Sequence, residues 1–301
     1  MEAVRREIKA FSELMLIAML VLLLPWPWAF RGLRFVTRFS WMRGVYDQEA
    51  SRAAAAFGLS AQFEQARLIS LHRLVDMADY FLTLKYGQGW MRRYLRVTGD
   101  VLPDYRTIQA PLFVTFHYGQ GFWALRYFRE QGFPLAWLHL PPPTRALLGE
   151  KVASWMGRRR IARVSRLCGA RAIAVGGSIE RMRERLLKAQ QPVMAMPDAP
   201  LQPGQSRIAV RLLERAAYLP AGTIRMAVQA QVPVIIYSIL VDPVSGVRRM
   251  HIEGPVIGQT QEALAQTLAN HLQAALLADP SAWHMWPWAQ SFFVPEAEVV
   301  D

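Results

Sequence analysis

From residue 112 onward the chain alternates short apolar runs with stretches of helical periodicity, and this rhythm narrows the fold more than any other feature. An apolar run of strand length that is buried on both faces needs helices above and below it. The strand-like runs are Leu112–Phe116, Leu135–Leu140, Arg171–Val175, Pro192–Met196, Ile208–Leu213 and Val232–Leu240, the last being the most apolar. Helical patterns cover Gly119–Gln131, Thr144–Cys168, Ile179–Ala189 with Ser178 as its N-cap, Thr223–Gln231 and Glu262–Ala278. Arg248–Glu253 reads as an edge strand, and Pro197–Gln205 as a loop rich in proline and glycine. The expected fold is α/β, a mostly parallel central sheet flanked by helices. Its domain spans 46–301, with a helical N-terminal part over 46–100 and a polar connection at Val101–Ala110.

Sheets of this kind bind ligands at the carboxyl ends of their strands. Two residues with useful chemistry fall there, His117 after Leu112–Phe116 and Asp198 after Pro192–Met196. A histidine at a strand end is placed to act as a general base, because a near-neutral imidazole takes up a proton and returns it. Gly119, Gln120 and Gly121 follow, and backbone N–H groups at the start of a helix suit an oxyanion or a phosphate.

Before this domain, residues 1–45 have a different character. Leu14 to Phe30 is a stretch of seventeen residues without a charge, with Arg5, Arg6 and Lys9 before it and Arg31, Arg34, Arg38 and Arg43 after it. A full crossing takes about 20 apolar residues, and Pro25 and Pro27 interrupt the helix well short of that. Trp26 and Trp28 sit where an interfacial aromatic belt would lie. The expectation is a membrane-anchoring helix, short or half-inserted, running into an Arg-rich stretch that meets anionic headgroups. A buried core helix is the competing reading.

Charge extends this picture. The 301 residues carry 35 Lys+Arg against 23 Asp+Glu, a net charge of +12. Lys9, Lys85, Lys151 and Lys188 are the lysines, which leaves 35 − 4 = 31 arginines. Arginine grips phosphate and carboxylate through a bidentate fork, and a GC-rich codon bias would give the same count. No basic–aromatic RNA motif, zinc finger or basic zipper is present, so a nucleic-acid partner is not expected. The single cysteine, Cys168, excludes a disulfide framework or a cysteine-based metal cage.

The segment Phe116-His117-Tyr118-Gly119-Gln120-Gly121-Phe122-Trp123, together with 163–200, 219–239 and the Trp-rich 281–293, resembles the lysophospholipid acyltransferase superfamily. The resemblance is to its branch of lipid A late (lauroyl/myristoyl) acyltransferases, and it covers about Leu112 to Trp288. It implies an acyltransferase that moves a fatty acyl group from acyl carrier protein or acyl-CoA, without a metal or other cofactor. The acceptor would be a hydroxyl or amine of a glycolipid, lipid or exported glycan, and the place the cytoplasmic face of the bacterial inner membrane. His117 would be the base. Gly119, Gln120 and Gly121 would contact substrate. Arg163 and Arg166, on one helical face with Arg159, and Arg207 and Arg225 on either side of 208–224, suit a substrate phosphate, with solvated surface placement the competing reading.

One position departs from that family. Its acidic residue, five after the histidine, is here Phe122. Three resolutions stand: another carboxylate reaches His117 through space, with Asp198 the first candidate; His117 acts alone; or catalysis has been lost. In the last case the chain is a lipid-binding accessory protein of a membrane glycan or lipid assembly system. Lipid hydrolysis by the same histidine is a further reading. It lacks the Gly-x-Ser-x-Gly elbow, so Ser178 is read as a cap. His139 and His284 read as ordinary packing residues.

Overall fold

A computed structural model describes residues 2–42, 44–59, 62–140, 146–200 and 204–293. The N-terminal third is helical: α1 (Glu2–Leu23), α2 (Trp26–Val36), α3 (Val45–Ala56), α4 (Gln62–Lys85) and α5 (Gln88–Tyr94), followed by β1 (Leu95–Gly99). Next come β2 (Leu112–Val114), α6 (Phe122–Glu130), β3 (Ala136–His139), α7 (Lys151–Cys168), β4 (Ile173–Ala174), α8 (Ser178–Leu187) and β5 (Val193–Ala195). The chain then forms a hairpin, β6 (Arg207–Leu212) and β7 (Arg215–Pro220). It closes with α9 (Ala221–Gln229), β8 (Val234–Val241), β9 (Arg248–Val256) and α10 (Gln261–Ala278).

Seven strands form one sheet in the order β1-β9-β8-β2-β5-β3-β4. Every pair is parallel except β8 with β9. The fold is therefore mixed α/β with a mostly parallel central sheet between helices. Side chains that alternate along each strand feed two cores. Leu112, Val114, Val193, Ala195, Val234 and Ile236 face one core, with α9 and α10. Phe113, Met194, Ile235 and Tyr237 face the other, with α1, α2, α4 and α6.

Several boundaries differ from the sequence expectation. Leu95–Gly99 continues a helical pattern in sequence but forms β1, which pairs with β9; β9 is thus an inner strand, not the edge. Arg215–Pro220, not foreseen as a strand, pairs with β6. The helix after His117 starts at Phe122, not Gly119, because Tyr118 and Gly119 bridge to Trp283 and Ile239. Thr144, the expected start of the long Arg-rich helix, lies outside the described residues, and the helix begins at Lys151. Ser178 is the first helical residue of α8, with Gly177 in the cap position at φ +59°, so Ser178 does not cap it.

The N-terminal helices are stitched into this frame. α1 ends just ahead of Pro25, where the sequence breaks it, and α2 opens with Pro27 in its first turn. Lys85, in the last turn of α4, donates to the carbonyls of Val21 (3.1 Å), Leu22 (2.8 Å) and Leu24 (3.3 Å), satisfying the C-terminal acceptors of α1. Glu7 on α1 accepts from the N–H groups of Lys151 (2.6 Å) and Val152 (3.0 Å), capping α7, and these bonds hold its carboxyl below the usual range. Ile17 and Val21 are fully buried against the core, each worth about 1.5–3 kcal/mol. No helix among the described residues is long and apolar enough to cross a membrane.

Candidate active site

The parallel register of β2 and β5 pairs Val114 with Ala195. His117 lies three residues beyond the first, and Asp198 three beyond the second, so equal overhangs bring them side by side. His117 Nδ1 is 2.9 Å from Asp198 Oδ1, and the His117 backbone N–H donates to Oδ2 at 2.7 Å. Trp283 Nε1 donates to the same Oδ2 at 2.9 Å. The Asp198 side chain is fully enclosed, whereas His117 keeps 36% of its side-chain surface accessible. With a carboxylate as acceptor, Nδ1 is assigned the proton, and Nε2 has no hydrogen-bond partner among the described residues.

Burial by itself would lower the His117 pKa. The charge of Asp198 and the hydrogen bond it accepts from the ring outweigh that effect, and the imidazole titrates above its ordinary value. Phe122, five residues after His117, is an apolar wall: it is buried, with the Arg160 guanidinium 5.0 Å over its ring. The carboxylate beside His117 comes from the neighbouring strand end.

Gly119 anchors the turn after His117. Its φ is +67°, and a Cβ there would stand 1.8 Å from the carbonyl oxygen of Ile239, so no other residue fits without moving β8. Its N–H donates to Ala282 O at 2.8 Å, and that of Gln120 to Ile239 O at 3.3 Å. The expected oxyanion donors therefore narrow to Gly121 and the first N–H groups of α6. Gln120, expected at the substrate, is fully buried and turned away: its amide donates to His72 (2.9 Å) and its oxygen accepts from the Val241 N–H (2.7 Å).

A cavity of about 210 Å³ opens beside this pair. His117, Gly119, Gly121 and Phe122 line it, and Trp137, Met194, Met196, Tyr237 and Ile239 supply apolar walls. Two charged residues reach it that the sequence had not singled out, Asp76 on α4 and Arg160 on α7, paired at 2.6 Å. His284 also lines the cavity rather than merely packing: its backbone N–H donates to His117 O (2.8 Å) and its Nε2 meets Gly119 O (2.9 Å). Burial holds His284 below the ordinary imidazole range.

The four arginines expected at the substrate do not line this cavity. Arg163 bonds to Thr83 on α4. Arg166 and Arg225 are exposed, and Arg207 stacks 3.9 Å over Tyr218 on the hairpin. A buried carboxylate orienting a part-exposed imidazole at a cavity, with the start of α6 on its wall, is equipped for proton transfer. The chain matches no protein-family model and no curated protein.

Proposed function

We propose that this protein is a membrane-associated acyltransferase of the lysophospholipid acyltransferase type, close in kind to the lipid A late acyltransferases. The observation that carries the reading is the 2.9 Å contact of Asp198 with His117 at the mouth of an apolar cavity. His117 Nε2 removes the proton from an acceptor hydroxyl or amine. The freed lone pair attacks the carbonyl of an acyl thioester on acyl carrier protein or coenzyme A. Gly121 and the start of α6 stabilise the oxyanion, and on its collapse the imidazolium returns the proton to the departing thiolate. The acceptor is a glycolipid, a lipid or an exported glycan.

The N-terminal helices support membrane docking. Val4, Ile8, Phe11, Met15, Met19 and Leu22 are exposed at helical spacing along α1. Trp28, Phe35, Phe39 and Trp41 are exposed on and after α2. Such a surface lies in the plane of a bilayer, here the cytoplasmic face of a bacterial inner membrane. Phe11→Glu with Met15→Glu is expected to release the protein from phosphatidylcholine vesicles in a flotation assay.

The deciding experiment is acyl transfer from thioester donors, read by mass spectrometry of the acceptor. His117→Ala is expected to lower the rate by about 10³–10⁴-fold. Wild-type rates from that variant would end the proposal. Bound acyl lipid with no transfer by the native protein would favour the accessory role, and free fatty acid as product would favour hydrolysis.

A further inference from the structure

At the end of α2 opposite its buried face, four guanidinium groups meet. Arg31, Arg34 and Arg38 follow one another at near-helical spacing, and Arg67 of α4 joins them around a cavity of about 260 Å³ walled by Phe35. That is on the order of twenty times the space one water requires. Among the described residues a single carboxylate pairs with any of them. Glu64 pairs with Arg67 on its own helix, and its carboxyl is held below the usual range first by that bond and further by the charge of Arg34. Arg34 is tethered at 3.2 Å to the carbonyl of Val244, in the turn between β8 and β9 that packs against α2, which holds it at the cavity. Arg31 lies 4.9 Å over the ring of Trp28. Arg38 has no hydrogen-bond partner among the described residues.

Four like charges around one hollow repel each other unless an anion lies between them. Guanidinium is also the cation best matched to a phosphate oxygen pair. The place of the hollow identifies the source of that phosphate. Exposed Phe35 lines it, exposed Phe39 packs on Phe35, and exposed Trp28, a side chain of the kind that settles at the headgroup level of a bilayer, lies under Arg31. We infer that Arg31, Arg34, Arg38 and Arg67 form a binding pocket for the phosphate of an anionic membrane lipid headgroup. The pocket rests on the membrane-docking part of the proposed function and sharpens it: apolar side chains of α1 and α2 enter any bilayer, and the pocket selects the anionic one. It requires no catalytic step, and none of its residues lines the His117 cavity.

The test is partition onto vesicles of phosphatidylcholine alone and of phosphatidylcholine with phosphatidylglycerol, using the full chain at constant ionic strength. Phosphatidylglycerol is expected to raise partition by about 10-fold or more. The double variant Arg38→Gln with Arg67→Gln is expected to lose that gain while binding phosphatidylcholine as before. A control of equal charge change, Arg183→Gln with Arg225→Gln on exposed positions of α8 and α9, is expected to keep it. Equal losses from both double variants would overturn the pocket and leave membrane docking intact, since charge would then act diffusely. Failure to bind either vesicle would overturn both. Inorganic phosphate is expected to give no shift in Tm that depends on Arg38 and Arg67. Saturable stabilisation by it below about millimolar concentration would make this a soluble-anion site and overturn the lipid assignment.

Discussion

Asp79 and Asp198 are both fully enclosed carboxylates, and the structure gives them opposite settings. Asp79 on α4 pairs with Arg248 at the start of β9, and both side chains have no accessible surface. The Arg248 guanidinium lies over the rings of Trp26 (4.2 Å) and Trp90 (5.0 Å), and its Nε has no hydrogen-bond partner among the described residues. Burial pushes the Asp79 carboxyl up to about 6 against the pull of Arg248, and it lowers the pKa of Arg248. Asp198 is equally enclosed but accepts three hydrogen bonds, and its partner is a histidine with a third of its surface open. Burial alone therefore does not mark a functional carboxylate. What separates the two is whether the partner titrates near neutrality and whether a cavity reaches it.

The sharpest way to break this contrast is to cut each pair. Asp198→Asn is expected to lower transfer by about 10³-fold or more while Tm changes little, because the ring loses its orienting charge and keeps its packing. Asp79→Ala is expected to do the reverse. It strands a buried guanidinium and costs about 3–5 kcal/mol in denaturant unfolding, with activity per folded molecule retained. Replacing both partners, Asp79→Leu with Arg248→Met, should recover most of that loss. If Asp79→Ala abolished transfer in well-folded protein, the division between clasp and catalytic pair would be wrong.

Smaller effects sharpen it further. Trp283→Phe removes one donor from Asp198 Oδ2 and is expected to slow transfer about 10-fold, roughly 1.4 kcal/mol. The acid limb of the pH–rate profile should lie above the ordinary imidazole pKa, since His117 works as a base only when neutral and Asp198 favours its charged form. In Asp198→Asn that limb should move to lower pH. The stability contributed by the pair has the matching sign. It is fully present below the unfolded-state histidine pKa and is lost as pH rises through the raised value.

The sequence displayed much of this architecture because buried parallel strands are written as contiguous apolar runs. Leu112–Val114, Val193–Ala195 and Val234–Val241 were legible for that reason. Leu95–Gly99 was not, since only Leu95 is buried and the remaining residues of β1 face outward at the sheet edge. Asp198 was legible from its distance past a strand end. Gln120 misled because a glutamine between two glycines gives no sign that its amide will satisfy two buried groups. Arg160 was hidden among the many arginines of α7: only the packing of α7 beside α4 decides which of them meets Asp76.

The two residues that steady the His117–Asp198 pair, Trp283 and His284, are translated long after the histidine: 165 positions separate Gly119 from the His284 ring that rests on it. At ordinary elongation rates the ribosome needs roughly ten to thirty seconds to cover that distance. A nascent chain can thus set its early helices in place with its imidazole still unaligned. The His117 pair waits for the tail.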